Sequence, residues 1–190
     1  YVVNRRTVVD QATDEAERLR AALLAPGQLR DVLVNLCAEP PRPGEAPLAI
    51  STLRGERADN AEWRRDPTQP SIVIGTIDMI GSRLLFSGYG CGFRSKPLHA
   101  GLIGQDTILV HDEAHLEPAF QRLIDSIRSE QIGSREPRPM RVMALSATSR
   151  EHPDFTLTPE DEAHSVVRQR LDAKKKLLVH RIGDTRELPE

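Results

Sequence analysis

Thr107-Ile108-Leu109-Val110-His111-Asp112-Glu113-Ala114-His115 carries a short apolar run directly into two adjacent carboxylates and a histidine. A continuous apolar run of this length is the pattern of a strand buried on both faces. The carboxylates then stand at its carboxyl end, where open α/β sheets hold their ligands. An Asp at that place can hold the Mg²⁺ of a nucleotide through water, and the adjacent Glu can polarise the water that attacks a γ-phosphate. Asp112 and Glu113 are therefore the candidate catalytic pair, with Asp112 as the metal holder. The competing reading is a solvated acidic loop after a strand.

Working outward toward the C-terminus, a helical pattern from Glu117 to Glu130 leads to a second apolar run, Met140 to Leu145, and then to Ser146-Ala147-Thr148. The helix supplies the crossover between two neighbouring parallel strands. Ser146 and Thr148 would then stand beside the acidic pair, with hydroxyls able to reach His115. Alone, a Ser-x-Thr at a strand end is a turn or a helix cap.

Toward the N-terminus, Leu48 to Leu53 and Ser71 to Gly75 read as two more buried strands, with a helical pattern from Asp78 to Phe86. Strands alternating with helices predict an α/β fold with an open parallel sheet. Thr7 and Asp10 make a capping-box-like pair ahead of a helix to about Leu24, and a shorter helix spans Leu29 to Leu36. Glu39 to Pro47, with four prolines, reads as a surface loop, and the Gly-rich Ser87 to Gly104 as an excursion over the surface. Past Arg150, Thr158 caps a helix with Pro159 at its first position, running to about Asp172. Leu177 to Ile182 reads either as a last strand or as the start of a linker.

The chain has 190 residues, about one domain's worth. Its 38% hydrophobic and 28% charged content argues against a disordered, collagenous or membrane protein, and no apolar run approaches transmembrane length. A net charge of -2 means that any nucleic-acid site is local. Cys37 and Cys91 have neither CxxC spacing nor a histidine cluster, which favours a reducing, cytoplasmic setting. The chain opens on Tyr1-Val2-Val3 without an initiator Met, as an internal piece of a longer protein would.

Several residues at strand ends admit a nucleic-acid reading. Asn4, Arg5 and Arg6 could contact phosphates, or the arginines could be ordinary solvated charges. Gly55, after Arg54, would let a phosphate approach backbone N–H groups, or would simply make a turn. Thr76 opens a helix, where its hydroxyl and the helix N-terminus make an anion site or a plain cap. Arg83 lies two turns on, either as a phosphate contact or as an ion-paired residue. Trp63, Tyr89 and Phe93 could stack on bases or serve in packing. His111 and His115 do not make a metalloprotease pair, because Asp112 follows His111 where a Glu is required and a strand stands where a helix is needed.

DEAH at 112–115 followed by SAT at 146–148 resembles the superfamily 2 helicases and translocases. The resemblance spans most of the chain. It becomes narrower over Thr52-Leu53-Arg54-Gly55-Glu56, Asp59-Asn60-Ala61-Glu62-Trp63 and Gly75 to Gly90 (GTIDMIGSRLLFSGYG), which look like the CRISPR-associated type I helicase-nuclease, type I-U (I-G) subgroup. Pro97 to Leu102 and Arg170 to Lys174 fit the same pattern, whereas His111 stands where that family usually has an apolar residue. The resemblance implies a RecA-like, P-loop NTPase domain over 1–150, with 151–190 leading to a second RecA-like domain. It further implies ATP and Mg²⁺ as cofactors, a coupling role for His115, Ser146 and Thr148, and 3′-to-5′ translocation on single-stranded DNA. Its partners would be a guide-RNA surveillance complex of a type I CRISPR system and an HD nuclease domain elsewhere in the polypeptide. The phosphate-binding loop, G-x-G-K-[ST], is then expected upstream of Tyr1, so these 190 residues alone should not hydrolyse ATP. Two alternatives stand beside this reading: another superfamily 2 motor, acting on RNA or on duplex DNA, and a non-catalytic RecA-like module that docks nucleic acid or protein.

Overall fold

A computed structural model of the chain describes residues 1–54, 60–147 and 155–174. The chain divides into two compact units, Tyr1–Thr148 and Ser149–Glu190.

The first unit is an α/β fold built on an open, all-parallel sheet. Its strands are β1 (Val2–Val3), β2 (Ala49–Leu53), β3 (Ser71–Thr76), β4 (Ile108–His111) and β5 (Arg141–Ala144), in the order β2-β3-β1-β4-β5. Every pairing is parallel. The helices are α1 (Arg6–Ala22), α2 (Gln28–Leu36), α3 (Ile77–Leu84), α4 (Lys96–Gly104) and α5 (Pro118–Gly133). None of the helices among the described residues is long and apolar enough to cross a membrane.

Side-chain alternation along the strands divides the core between two faces. Val3, Ile50 and Ile74 meet Val9, Ala16 and Leu23, which recur every seven residues along α1 and its C-cap and so form one stripe. Val2, Leu53 and Leu109 join the opposite core with Met79, Ile80 and Leu84 of α3 and Phe120 and Ile124 of α5. Adjacent residues of the shortest strand thus anchor both faces. Gly75 is dictated by this packing, because a Cβ there would lie 3.0 Å from the Leu53 Cβ and 3.2 Å from Ile80.

Four expectations are corrected. Thr7 does not cap α1: the helix starts at Arg6, its N-cap Arg5 makes no side-chain cap, and Asp10 instead pairs with Arg54. The Ser87 to Gly104 excursion ends in α4, whose Ala100 and Ile103 are buried. The Met140 to Leu145 run is not buried on both faces, because among the described residues β5 is an edge strand and α5 is the helix that packs on it, leaving Met143 half exposed. In the second unit, the expected single helix is broken at His164 into α6 (Pro159–Ala163) and α7 (Ser165–Leu171). Thr158 does cap α6, in a reciprocal capping box with Asp161. The expectation for Leu177 to Ile182 lies outside the described residues.

Candidate functional site

Sheet register gathers the strand ends. Val3 pairs with Thr76, Leu53 and Val2 both pair with Gly75, Val2 pairs with His111, and His111 pairs with Ala144. Asn4, Arg54, Thr76, Asp112 and Ser146 therefore leave the sheet within about two residues of one another, along its carboxyl edge. This is the edge at which open α/β sheets bind ligands.

The turn after β4 is fixed by backbone bonds to both neighbouring strands. Asp112 N donates to Val2 O at 2.9 Å, Leu145 N to His111 O at 2.9 Å, and Ala114 N to Leu145 O at 2.9 Å. Glu113 takes a left-handed conformation, φ 53° and ψ 41°, uncommon for a side chain that gains no local bond from it. Its N–H donates to Asp112 Oδ1 at 3.0 Å. A 3-10 turn, Ala114–Leu116, follows and brings His115 back over the strand ends.

His115 Nδ1 lies 3.0 Å from the Ser146 hydroxyl and 3.4 Å from Glu113 Oε2. One imidazole nitrogen therefore stands between the carboxylate after β4 and the hydroxyl after β5. Thr148 lies outside the described residues, as does Gly55.

Two contacts at this turn are not announced by the sequence. The Tyr1 hydroxyl donates to Asp112 Oδ2 at 2.5 Å. Its pKa is pushed up to about 12, first by burial and then by the hydrogen bond and negative charge of Asp112, with a further contribution from Glu113. Beneath the turn, fully buried His111 bonds through Nδ1 to Gln121 Oε1 at 2.7 Å and packs edge-on against Phe120, 4.9 Å between ring centres. The Gln121 amide is held in turn by Asp125. Buried His111 Nε2 has no hydrogen-bond partner among the described residues. Only the position of His111, at the end of a buried strand pattern, hinted that it would be interior.

The nucleic-acid candidates separate. Arg5 and Arg6 are exposed beside half-buried Asn4 at the end of β1. Arg54 forms an ion pair with Asp10, so a phosphate there would compete with a carboxylate. Thr76 is the N-cap of α3 without a side-chain cap bond. Arg83 is corrected: at 3% exposure it is buried in the core with Nη1 donating to Met79 O at 2.9 Å, and it presents no guanidinium to solvent. Trp63, also 3% exposed, is a core residue whose backbone N–H donates to Ser51 Oγ at 3.1 Å. Tyr89 and Phe93 are both exposed.

The chemistry of the acidic pair would suit a hydrated divalent ion, with Asp112 Oδ1 and Oδ2 already accepting from the Glu113 N–H and the Tyr1 hydroxyl. A carboxylate contact through water needs no multi-ligand cage, and no cluster of three metal-ligating side chains occurs among the described residues. No family model, curated protein or solved structure matches this chain.

Proposed function

We propose that the chain forms most of the first RecA-like domain of an ATP-dependent motor that moves on single-stranded DNA, of the kind that serves type I CRISPR interference. The observation that carries this reading is the joining of Glu113, His115 and Ser146 across the ends of two adjacent parallel strands. Asp112 would hold Mg²⁺ through water, and the ion would supply charge neutralisation on the phosphates. Glu113 orients the attacking water and accepts its proton. His115 passes the position of that carboxylate to Ser146 and hence to β5. Arg5, Arg6 and Asn4, after β1, the strand next to β4 on the same edge, would hold the nucleic-acid backbone.

The edge of the sheet supports the same reading. β5 has no strand on its outer side among the described residues. By register, Ile108, Val110 and Met143 share the face that α1 covers over β2, β3 and β1 but not over β4 and β5, and Ile108 is 60% exposed. Parallel sheets are covered on both faces. A strand, phosphate loop and helix supplied by the parent protein would pair with β5 and cover these residues.

The test is ATP hydrolysis by the parent protein, with and without single-stranded DNA, single-stranded RNA and duplex, alongside Glu113→Gln. Stimulation by single-stranded DNA that disappears in the variant is expected. Greater stimulation by RNA would assign a different motor, and no hydrolysis by folded protein would leave a binding module.

A further inference from the structure

The segment after α3 is basic, aromatic and firmly held. From Leu85 to Gln105 there are 21 residues with Arg94 and Lys96 and no Asp or Glu, in a chain with 28 acidic residues among 190. A window of that length would hold about three acids at the chain's average density. Within it, Phe86, Tyr89 and Phe93 are all exposed, Phe93 at 87%. Three aromatic side chains are therefore exposed within eight residues, with Arg94 and Lys96 beside the last.

The backbone fixes these rings. α3 ends with Ser87 N donating to Ser82 O at 2.7 Å and Phe86 N to Arg83 O at 3.1 Å, a terminus whose left-handed position is usually Gly. Here it is Phe86, at φ 56°. The chain then turns, with Cys91 N donating to Gly88 O at 3.3 Å, so that Tyr89 stands at the tip. Gly88 is pressed against the turn's support, since a Cβ there would lie 2.8 Å from Cys91 Sγ and 2.9 Å from Arg83 Cγ. Cys91 Sγ lies 3.0 Å from Nδ1 of buried His99 on α4, whose Nε2 lies 3.2 Å from Arg64 and whose ring is 5.1 Å from Trp63. The turn is thus pinned to the core from below while its aromatic side faces water.

We propose that Phe86, Tyr89 and Phe93 form a stacking platform for unpaired nucleotide bases, with Arg94 and Lys96 holding the adjoining phosphates. Stacking accepts any base, and the segment itself carries no carboxylate to repel the backbone. α3 carries the chain away from Thr76 by about 12 Å, so this contact is separate from the strand-end edge. That the strand is DNA rests on the motor reading; the stacking does not.

The experiment measures binding of a fluorescein-labelled 20-mer of dT, and of a 20-base-pair duplex, to the chain and to Phe93→Ala, Phe93→Leu, Tyr89→Ala and the Arg94→Ala/Lys96→Ala pair. Phe93 makes little core contact, so its variants should keep the wild-type unfolding midpoint. Photo-crosslinking with 5-iododeoxyuridine in the oligonucleotide maps the contact. Expected are preference for the single strand, an affinity loss of at least about fivefold in Phe93→Ala and equally in Phe93→Leu, and crosslinks at Tyr89 or Phe93. The Arg–Lys variant should lower the log–log salt slope by about 1.4. Wild-type affinity in Phe93→Leu, crosslinks confined to residues 4–6 and 54, equal binding of duplex, or no binding at all would each overturn the platform. The motor reading is scored separately, by the effect of Glu113→Gln on hydrolysis.

Discussion

The Ser146 hydroxyl stands 3.0 Å from His115 Nδ1, thirty-one residues back along the chain. Two parallel strands and α5 are needed to bring them together, so the contact reports the register of β4 against β5 as well as the chemistry of the site.

Ser146→Ala removes that contact at a solvent-facing position. The fold should be unaffected, with unfolding free energy changed by less than about 0.5 kcal/mol. In the parent protein, DNA-stimulated ATP hydrolysis should fall by about fivefold, the equivalent of one hydrogen bond of roughly 1 kcal/mol, while unstimulated hydrolysis changes less. Steady-state kinetics with and without single-stranded DNA checks both.

Glu113 holds a left-handed backbone that glycine adopts without strain. Glu113→Gly should therefore raise the unfolding free energy by about 1 kcal/mol while abolishing hydrolysis in the parent. Stability gained with function lost is read from a urea titration beside an ATPase assay. A loss of stability would show that the Glu113 side chain contributes more than its backbone costs.

Tyr1 supplies a pH dependence. Its hydroxyl has a folded-state pKa of about 12 against an ordinary value of 10.0, so it holds its proton more tightly when folded. Its contribution is fully present below pH 10 and is lost as pH rises from about 10 through 12. Tyr1→Phe should remove this part of the alkaline decline in stability. The difference between the two proteins in absorbance at 295 nm should show a tyrosine titrating near pH 12.

His111 and Gln121 should behave as a coupled pair. His111→Val strands the Gln121 carbonyl and should cost about 1–2 kcal/mol. Adding Gln121→Leu should recover much of that loss, because both polar partners are then gone, together with the unpartnered His111 Nε2. A double-mutant cycle by chemical denaturation measures the coupling; strict additivity would show that the bond adds nothing.

The strands were legible because each is an apolar run bounded by polar or turn residues, and the strand-end placement of Asp112 and Ser146 followed from them. Arg83 was not legible as a core residue because its charge points to solvent, whereas its position on the helical face of Met79, Ile80 and Leu84 points inward. α4 was hidden by glycines at 101 and 104, one of which, Gly104, packs against Leu84. The Tyr1–Asp112 bond had no local signal at all, since it depends on which strand β1 lies beside. β5 read as buried because a run of apolar residues records what a face requires, whatever element supplies the cover.

Strand order has a mechanical corollary. The pair β2–β3 carries Arg54 and Thr76, the pair β4–β5 carries Asp112 and Ser146, and the dipeptide Val2–Val3 is the only strand between them. It is stitched to β3 at two positions and to β4 at one. The sheet is therefore narrowest along this seam, and Tyr1, just before the two valines, reaches across it with its hydroxyl to the Asp112 carboxylate. On the motor reading, Tyr1, Val2 and Val3 would be the sheet's link between Arg54 and Thr76 on one side and the acidic pair on the other.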